Sequence, residues 1–238
     1  ETAKPFVPIS LHNVWDRKCV KRTVMTIPYN AKPFSNRSYI KDALKEKGIE
    51  IGKDDLTLTV KAVREAMTTV VPGPMSVMRW IEEEVTKAIK RGATELKWVT
   101  PSGFIVKQRI MKKNIKRFDL QLLGRCVLNV ATDDKDEADI NRHKAATAPN
   151  LIHSLDASLL HISIRDYNHP IALIHDSVLT RSVDMDELSA NIRKTYMHLF
   201  AEHDYLNEFA HQIGAETKPP IIGDLEPETV IDSTYFFC

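Results

Sequence analysis

The sequence predicts an α+β fold, mainly helical, and three observations carry that prediction. Through most of residues 14–91 apolar residues recur at three- and four-residue spacing, the period of amphipathic helices. The period then changes, and Leu96-Lys-Trp98-Val-Thr-Pro101-Ser-Gly103-Phe-Ile-Val106 reads as a strand, a turn and a strand. Further on, the apolar run Ile171-Ala-Leu-Ile174 reads as a buried strand ending on His175-Asp176-Ser177.

Residues 14–29 form the first predicted helix. Arg17, Lys21, Met25 and Tyr29 recur every four positions, so a helix sets them along one stripe, with Val20, Val24 and Ile27 on a neighbouring apolar face. Two cations, a thioether and an aromatic in that order can neutralise phosphates at one end and offer a flat ring at the other. Pro28 costs roughly 3 kcal/mol in a helix interior, so the helix ends or kinks there and Tyr29 lies at the joint. Helices are expected over 35–47, stopped by Gly48; over 55–71, stopped by Pro72-Gly73; and over 74–91, stopped by Gly92. Their periodic apolar residues are core faces and carry no chemistry.

β-branched and basic residues continue over 105–130. A basic hairpin can enter a DNA major groove. Equally, it is an exposed hairpin whose Lys and Arg guard its edges. The acidic run Asp133–Asp139 is predicted to begin a helix, where negative charge suits the N-terminal dipole; it lacks the glycine of an EF-type calcium loop. Pro149 fits the first turn of another helix, on which His153, Asp156 and Leu160 lie near one another. Asp184 with Glu187 has the form of a capping box opening a helix to about His203.

A chain of 238 residues is one large domain or two small ones, long enough to bury a sizeable core. Cys19, Cys126 and Cys238 are widely spaced, which predicts a reducing compartment and no disulfide frame. No apolar stretch reaches membrane-span length, so no membrane partner is expected. The net charge of +1 is unevenly distributed. Residues 1–50 hold ten Lys/Arg against five Asp/Glu, residues 104–125 seven against one, and residues 184–238 three against eleven. That distribution suits a protein gripping a polyanion with one surface, although a solvated charged face explains any single stretch.

A lone carboxylate closing a buried strand needs a cation or a metal beside it. Strand alternation puts His175 and Ser177 on one face and Asp176 alone on the other, the placing of a metal ligand; the alternative is a turn aspartate in a hairpin. A Ser-His-Asp hydrolase ranks below both, because three adjacent strand residues do not converge on one proton-transfer line.

Several segments, in order, resemble one family. Arg17-x-x-x-Lys21-Arg22-x-x-Met25-Thr-x-x-Tyr29 is similar to motif B of the single-subunit DNA-dependent RNA polymerases, the T-seven-like phage enzymes and their mitochondrial relatives. Ile174-His175-Asp176-Ser177 resembles their motif C. Between them Trp98-Val-Thr-Pro-x-Gly-Phe104, Leu123-Gly124 and Ala148-Pro-Asn-x-x-His153-Ser resemble family segments.

The resemblance implies the fingers and C-terminal palm of a right-hand polymerase: fingers over 1–153, with a β specificity hairpin inserted at about 97–131, and palm over 154–238. It implies that Arg17, Lys21 and Arg22 bind nucleotide phosphates, with Lys21 assisting the pyrophosphate leaving group. Tyr29 checks the ribose 2′-hydroxyl and His153 lies near the same nucleotide. Asp176 is one of two metal-binding aspartates, and His175 flanks it on the DNA side. Phe34 lies close to the template base, while Arg117, Asp119 and Gln121 read promoter bases. The implied cofactor is a pair of Mg²⁺ ions. The implied partners are template and promoter DNA, RNA product and nucleoside triphosphates, in the cytoplasm of an infected bacterium ahead of a mitochondrion.

Three departures stand out: Pro28 for a helix former, Asn30 for the usual glycine, and the terminal Cys238. A larger one is the absence of motif A, the strand that brings the second aspartate. The chain is therefore expected to be inactive alone, its site completed by a polypeptide carrying motif A, the thumb and the N-terminal region. A family-A DNA polymerase is the first rival, disfavoured by Met25 and Ser177 where it has Phe and an acid. A non-catalytic DNA-binding scaffold subunit is the second, and it has no need of Arg17, Lys21, Tyr29 and Asp176 together.

Overall fold

A computed structural model describes residues 1–121, 124, 126–221 and 223–236; Leu123 of the Leu123-Gly124 segment and the terminal Cys238 lie outside them. Helix and strand are mixed as the α+β reading predicts. The chain forms two compact units, residues 1–81 with 220–223, and residues 82–219 with 224–238.

The first unit is helical: α1 (Arg17–Thr26), α2 (Pro33–Lys45), α3 (Lys53–Val70) and the start of α4 (Pro72–Lys90). Helix α1 stops at Thr26, with Ile27 as its cap, so Pro28 and Tyr29 follow the helix and Tyr29 leaves the predicted stripe. Pro33 opens α2 at its first turn, where its missing N–H costs nothing. Leu11, Cys19, Ile40, Leu44, Leu56, Val60 and Val63 form one buried cluster, with Val20 and Val24 packed against it. The apolar face of α1 thus turns inward, and its cations turn outward.

Among the described residues the second unit carries three two-stranded antiparallel sheets. Strand β1 (Leu96–Val99) pairs with β2 (Ile105–Gln108), β3 (Met111–Leu120) with β4 (Cys126–Ala138), and β5 (Ile171–Ile174) with β6 (Ser177–Thr180). Helix α5 (Ile140–Ile164) separates the second sheet from the third, and α6 (Met185–Glu202) and α7 (Tyr205–Ile213) follow. Buried Tyr167, Leu188 and Ile192 gather Leu159, Ile171, Val178 and Phe236.

Several expectations fail, each for a physical reason. Asp133–Ala138 is strand, and α5 begins only at Ile140, with Asp139 accepting the Arg142 amide at 3.0 Å. Asp134 pairs with Arg109 and Lys113, and Glu137 with Lys112, so cross-strand cations hold the acids that a helix N-terminus would otherwise attract. Pro149 sits inside α5, not in its first turn. At the cap of α6 the Asp184 carboxylate accepts from Arg181 at 2.6 Å, and Glu187 contacts His169, so no capping box forms. Strand β5 is not buried: Leu173 is 37% and Ile174 59% exposed. Helix α7, which the sequence reading passes over, ends on Gly214 at φ 65°, a left-handed cap open to glycine without strain.

Candidate functional site

In the first unit the site is the outward face of α1 and the turn after it. Asp16 caps the helix, accepting the Cys19 amide at 3.2 Å. Lys47 approaches that carboxylate to 2.7 Å, and its hydrogen bond holds the Asp16 carboxyl down at about 2. Lys47 also donates to the Val14 carbonyl at 2.8 Å, tying the helix start to the end of α2. Arg17 and Lys21, one turn apart, are exposed and have no ion-pair or hydrogen-bond partner among the described residues. Two adjacent cations with no internal anion suit an external one. Arg22 is differently engaged, its guanidinium lying 4.3 Å over the Tyr39 ring. Tyr29 is 42% exposed in the turn, and Phe34, near the start of α2, is 80% exposed.

In the second unit the site is the β5–β6 tip. Ile174 pairs with Ser177, so His175 and Asp176 form a two-residue loop. His175 has φ 57°, the sign a tight hairpin calls for. Asp176 is thus a turn residue of a hairpin, and strand alternation does not set its direction. Near it stands Asp156 of α5, with His153 one turn earlier on that helix. Desolvation raises the Asp156 carboxyl above its usual range; the His153 charge opposes this and the Asp176 carboxylate adds to it. Asp156 is a neighbour to which the sequence reading assigns no role. Among the described residues no group of three or more His, Cys, Asp or Glu is placed to hold a metal ion.

The β3–β4 register gives its hairpin two unlike faces. Arg117 pairs with Asn129 and Asp119 with Val127, placing both candidate base readers on one face, where the guanidinium and carboxylate meet at 3.4 Å. Phe118 opposite Leu128, with Leu120 opposite Cys126, lies on the other face, and all four are exposed. Gln121 follows the end of β3. Cys126 is a free exposed thiol and Cys19 a free buried one.

Sequence reasoning also misses the network that seats this hairpin. Gln108 ends β2, and its amide bonds Thr147 at 2.9 Å and meets His143 Nδ1 at 3.1 Å, while Asn150 donates to it at 2.7 Å. His143, fully buried, accepts the Ile110 amide at 3.2 Å through Nε2. Burial lowers its pKa and favours neutral imidazole. Nothing in local spacing marks Gln108, whose partners come from α5. Trp98, buried, donates to Ser154 at 3.3 Å and meets Phe209 edge-on.

The observed parts are an exposed cationic face on α1 in one unit and, in the other, a hairpin aspartate near Asp156 of α5. Residues 7–221 match the family model of DNA-dependent RNA polymerases, and the chain belongs to that family. It is 32% identical to the DNA-directed RNA polymerase of Pseudomonas phage phiKMV, over 94% of this chain and 29% of that protein. It is 30% identical to the chloroplastic DNA-directed RNA polymerase 3 of Nicotiana sylvestris, over 93% of this chain and 23% of that one. The mitochondrial DNA-directed RNA polymerase 1B of Nicotiana tabacum is likewise 30% identical, over 95% and 23%. The chain thus spans less than a third of the length of these relatives. Among the described residues no helix is long and apolar enough to cross a membrane.

Proposed function

We propose that this chain is the fingers and C-terminal palm portion of a DNA-dependent RNA polymerase, completed by a polypeptide that carries motif A, the thumb and the N-terminal region. The observation that carries the reading is the pair of exposed cations on α1, Arg17 and Lys21, unpartnered among the described residues, in a family of polymerases. The fingers extend over 1–153 and the palm over 154–238, with β3–β4 as the specificity hairpin.

In the reaction the 3′-hydroxyl oxygen of the RNA bonds to the α-phosphorus of a nucleoside triphosphate and the bond to pyrophosphate breaks. Lys21 and Arg17 offset the charge that develops on the departing phosphates. Tyr29 meets the ribose and His153 the same nucleotide. Two Mg²⁺ ions, when bound, supply charge neutralisation at the reacting phosphate. This chain's donors do not make up that pair by themselves: Asp176 fits one oxygen-ligand position, and the remainder falls to the partner. Arg117, Asp119 and Gln121 face promoter bases; Phe34 and His175 lie along the template.

The test is promoter-dependent RNA synthesis by the purified chain with and without the polypeptide that co-purifies with it. Synthesis only by the assembled pair, lost in Asp176→Asn, is the expected result. RNA made by the chain alone overturns the split-site reading. An assembled pair that binds DNA, never nucleotide, favours the scaffold alternative.

A further inference from the structure

We propose that Arg64 is a positioning residue: from α3 it fastens the turn that carries Tyr29 and so sets how Tyr29 meets the sugar of an incoming nucleotide. The proposal rests on the nucleotide-binding reading of Tyr29 given above, while the latch itself stands on the geometry of one unit.

Between α1 and α2 the chain reverses over residues 27–32, between Pro28 and Pro33. The turn is first closed locally. The amides of Tyr29 and Ala31 donate to the Thr26 carbonyl at 3.1 and 3.0 Å, and that of Asn30 to the Ile27 carbonyl at 2.8 Å. Asn30 has φ 62°, a left-handed conformation that only glycine adopts freely and that asparagine tolerates best among the rest. Lys32 donates to the Asn30 side chain at 2.6 Å. These bonds lie within the turn itself.

Arg64 supplies the tether. Its Nη1 donates to the Ala31 carbonyl at 2.9 Å and to Asn36 Oδ1 at 2.7 Å. One nitrogen, with one hydrogen for each acceptor, therefore joins the turn to α2 from a residue on α3. Both anchors belong to the rigid part of the unit. Asn36 is fully buried one turn before Ile40, and Arg64 follows Val60 and Val63 of the buried cluster. Asn36 Nδ2 is buried without a partner among the described residues, so the bond from Arg64 orients this amide, its oxygen turned toward the guanidinium. A lysine ammonium has hydrogens for both acceptors but lacks the guanidinium plane that fixes their directions.

The experiment compares Arg64→Met, Arg64→Lys, Asn36→Ala and Tyr29→Phe. Amide hydrogen exchange is followed on this chain, and kcat and KM for ribo- and deoxynucleotides on the chain with its co-purified partner. In Arg64→Met the Asn30 and Ala31 amides should exchange about tenfold faster, as the loss of one net hydrogen bond implies, while α5 amides keep their rates. Preference for ribonucleotides should fall about as far as in Tyr29→Phe, and the double variant should fall no further. Arg64→Lys should recover part of both effects. If Arg64→Met does not fold, Asn36→Ala, which keeps the Ala31 bond and removes its anchor, decides through the same exchange measurement. Unchanged exchange in the turn overturns the latch. Faster exchange with unchanged sugar preference, where Tyr29→Phe does lower that preference, overturns the positioning role. Unaltered preference in Tyr29→Phe itself overturns instead the nucleotide reading of Tyr29.

Discussion

Helix α1 is braced at both ends by other helices of its unit, Lys47 holding Asp16 at its start and Arg64 holding Ala31 just past its end. The β5–β6 tip is held differently. Its core packing comes from Ile171 and Val178, below a two-residue loop, while Leu173 and Ile174 stay exposed. For the phosphate-binding role proposed for α1, a braced helix helps, since only the long cationic side chains then remain to be ordered. The Asp176 carboxylate sits instead at the tip of a hairpin whose apolar side chains are exposed, with Asp156 near it. The second unit does contain firm bracing, but elsewhere. Glu84, fully buried on α4, accepts from Lys87 at 2.6 Å, from the Glu216 amide at 2.6 Å and from Thr217 at 2.8 Å. Burial opposes its ionisation, and these donors outweigh it, leaving the Glu84 carboxyl below its usual range.

Breaking the contrast most severely calls for Lys21→Ala. In the assembled enzyme kcat should fall about 100- to 1000-fold, the scale for a group stabilising transition-state charge, while duplex binding and melting temperature hold. Near-normal turnover would leave α1 as a solvated cationic face.

Glu84→Ala tests whether the firm part of the second unit is independent of its tip. It removes the buried acceptor shared by three donors, of which Lys87 keeps Glu216 at 3.8 Å, so chemical denaturation should show a loss of ~2–3 kcal/mol. A loss under ~0.5 kcal/mol would show the 214–217 segment to be held by other means.

The smallest effect is expected at the start of α1. The Asp16 carboxyl is lowered from 3.8 to about 2, so its contribution is complete above 3.8 and lost as pH falls through about 2. Asp16→Asn should therefore melt slightly below the parent at pH 6, and the gap should close between pH 4 and pH 2. Melting curves across that window check it. A gap independent of pH would assign the effect to capping geometry alone, which asparagine preserves nearly as well.

How much of this was legible in the chain differs between the same two regions. Helices α1 to α4 follow from apolar period and from prolines and glycines at their ends, because each signal acts within a few residues. The exposed pair Arg17 and Lys21 is visible by spacing, whereas Tyr29 leaves that stripe because α1 stops at Thr26; the ordered motifs carried the family. Tertiary contacts decided the rest. Asp134 and Glu137 stay in a strand because cations on the neighbouring strand meet them, and Pro149 lies within α5, whose Thr147 and Asn150 bond Gln108 from β2. Arg64 reads as one polar position of a helix until the fold brings Ala31 and Asn36 to it from 33 and 28 residues away. Local propensity writes elements into a sequence; which side chains satisfy each other across them depends on pairings that no window of a few residues contains.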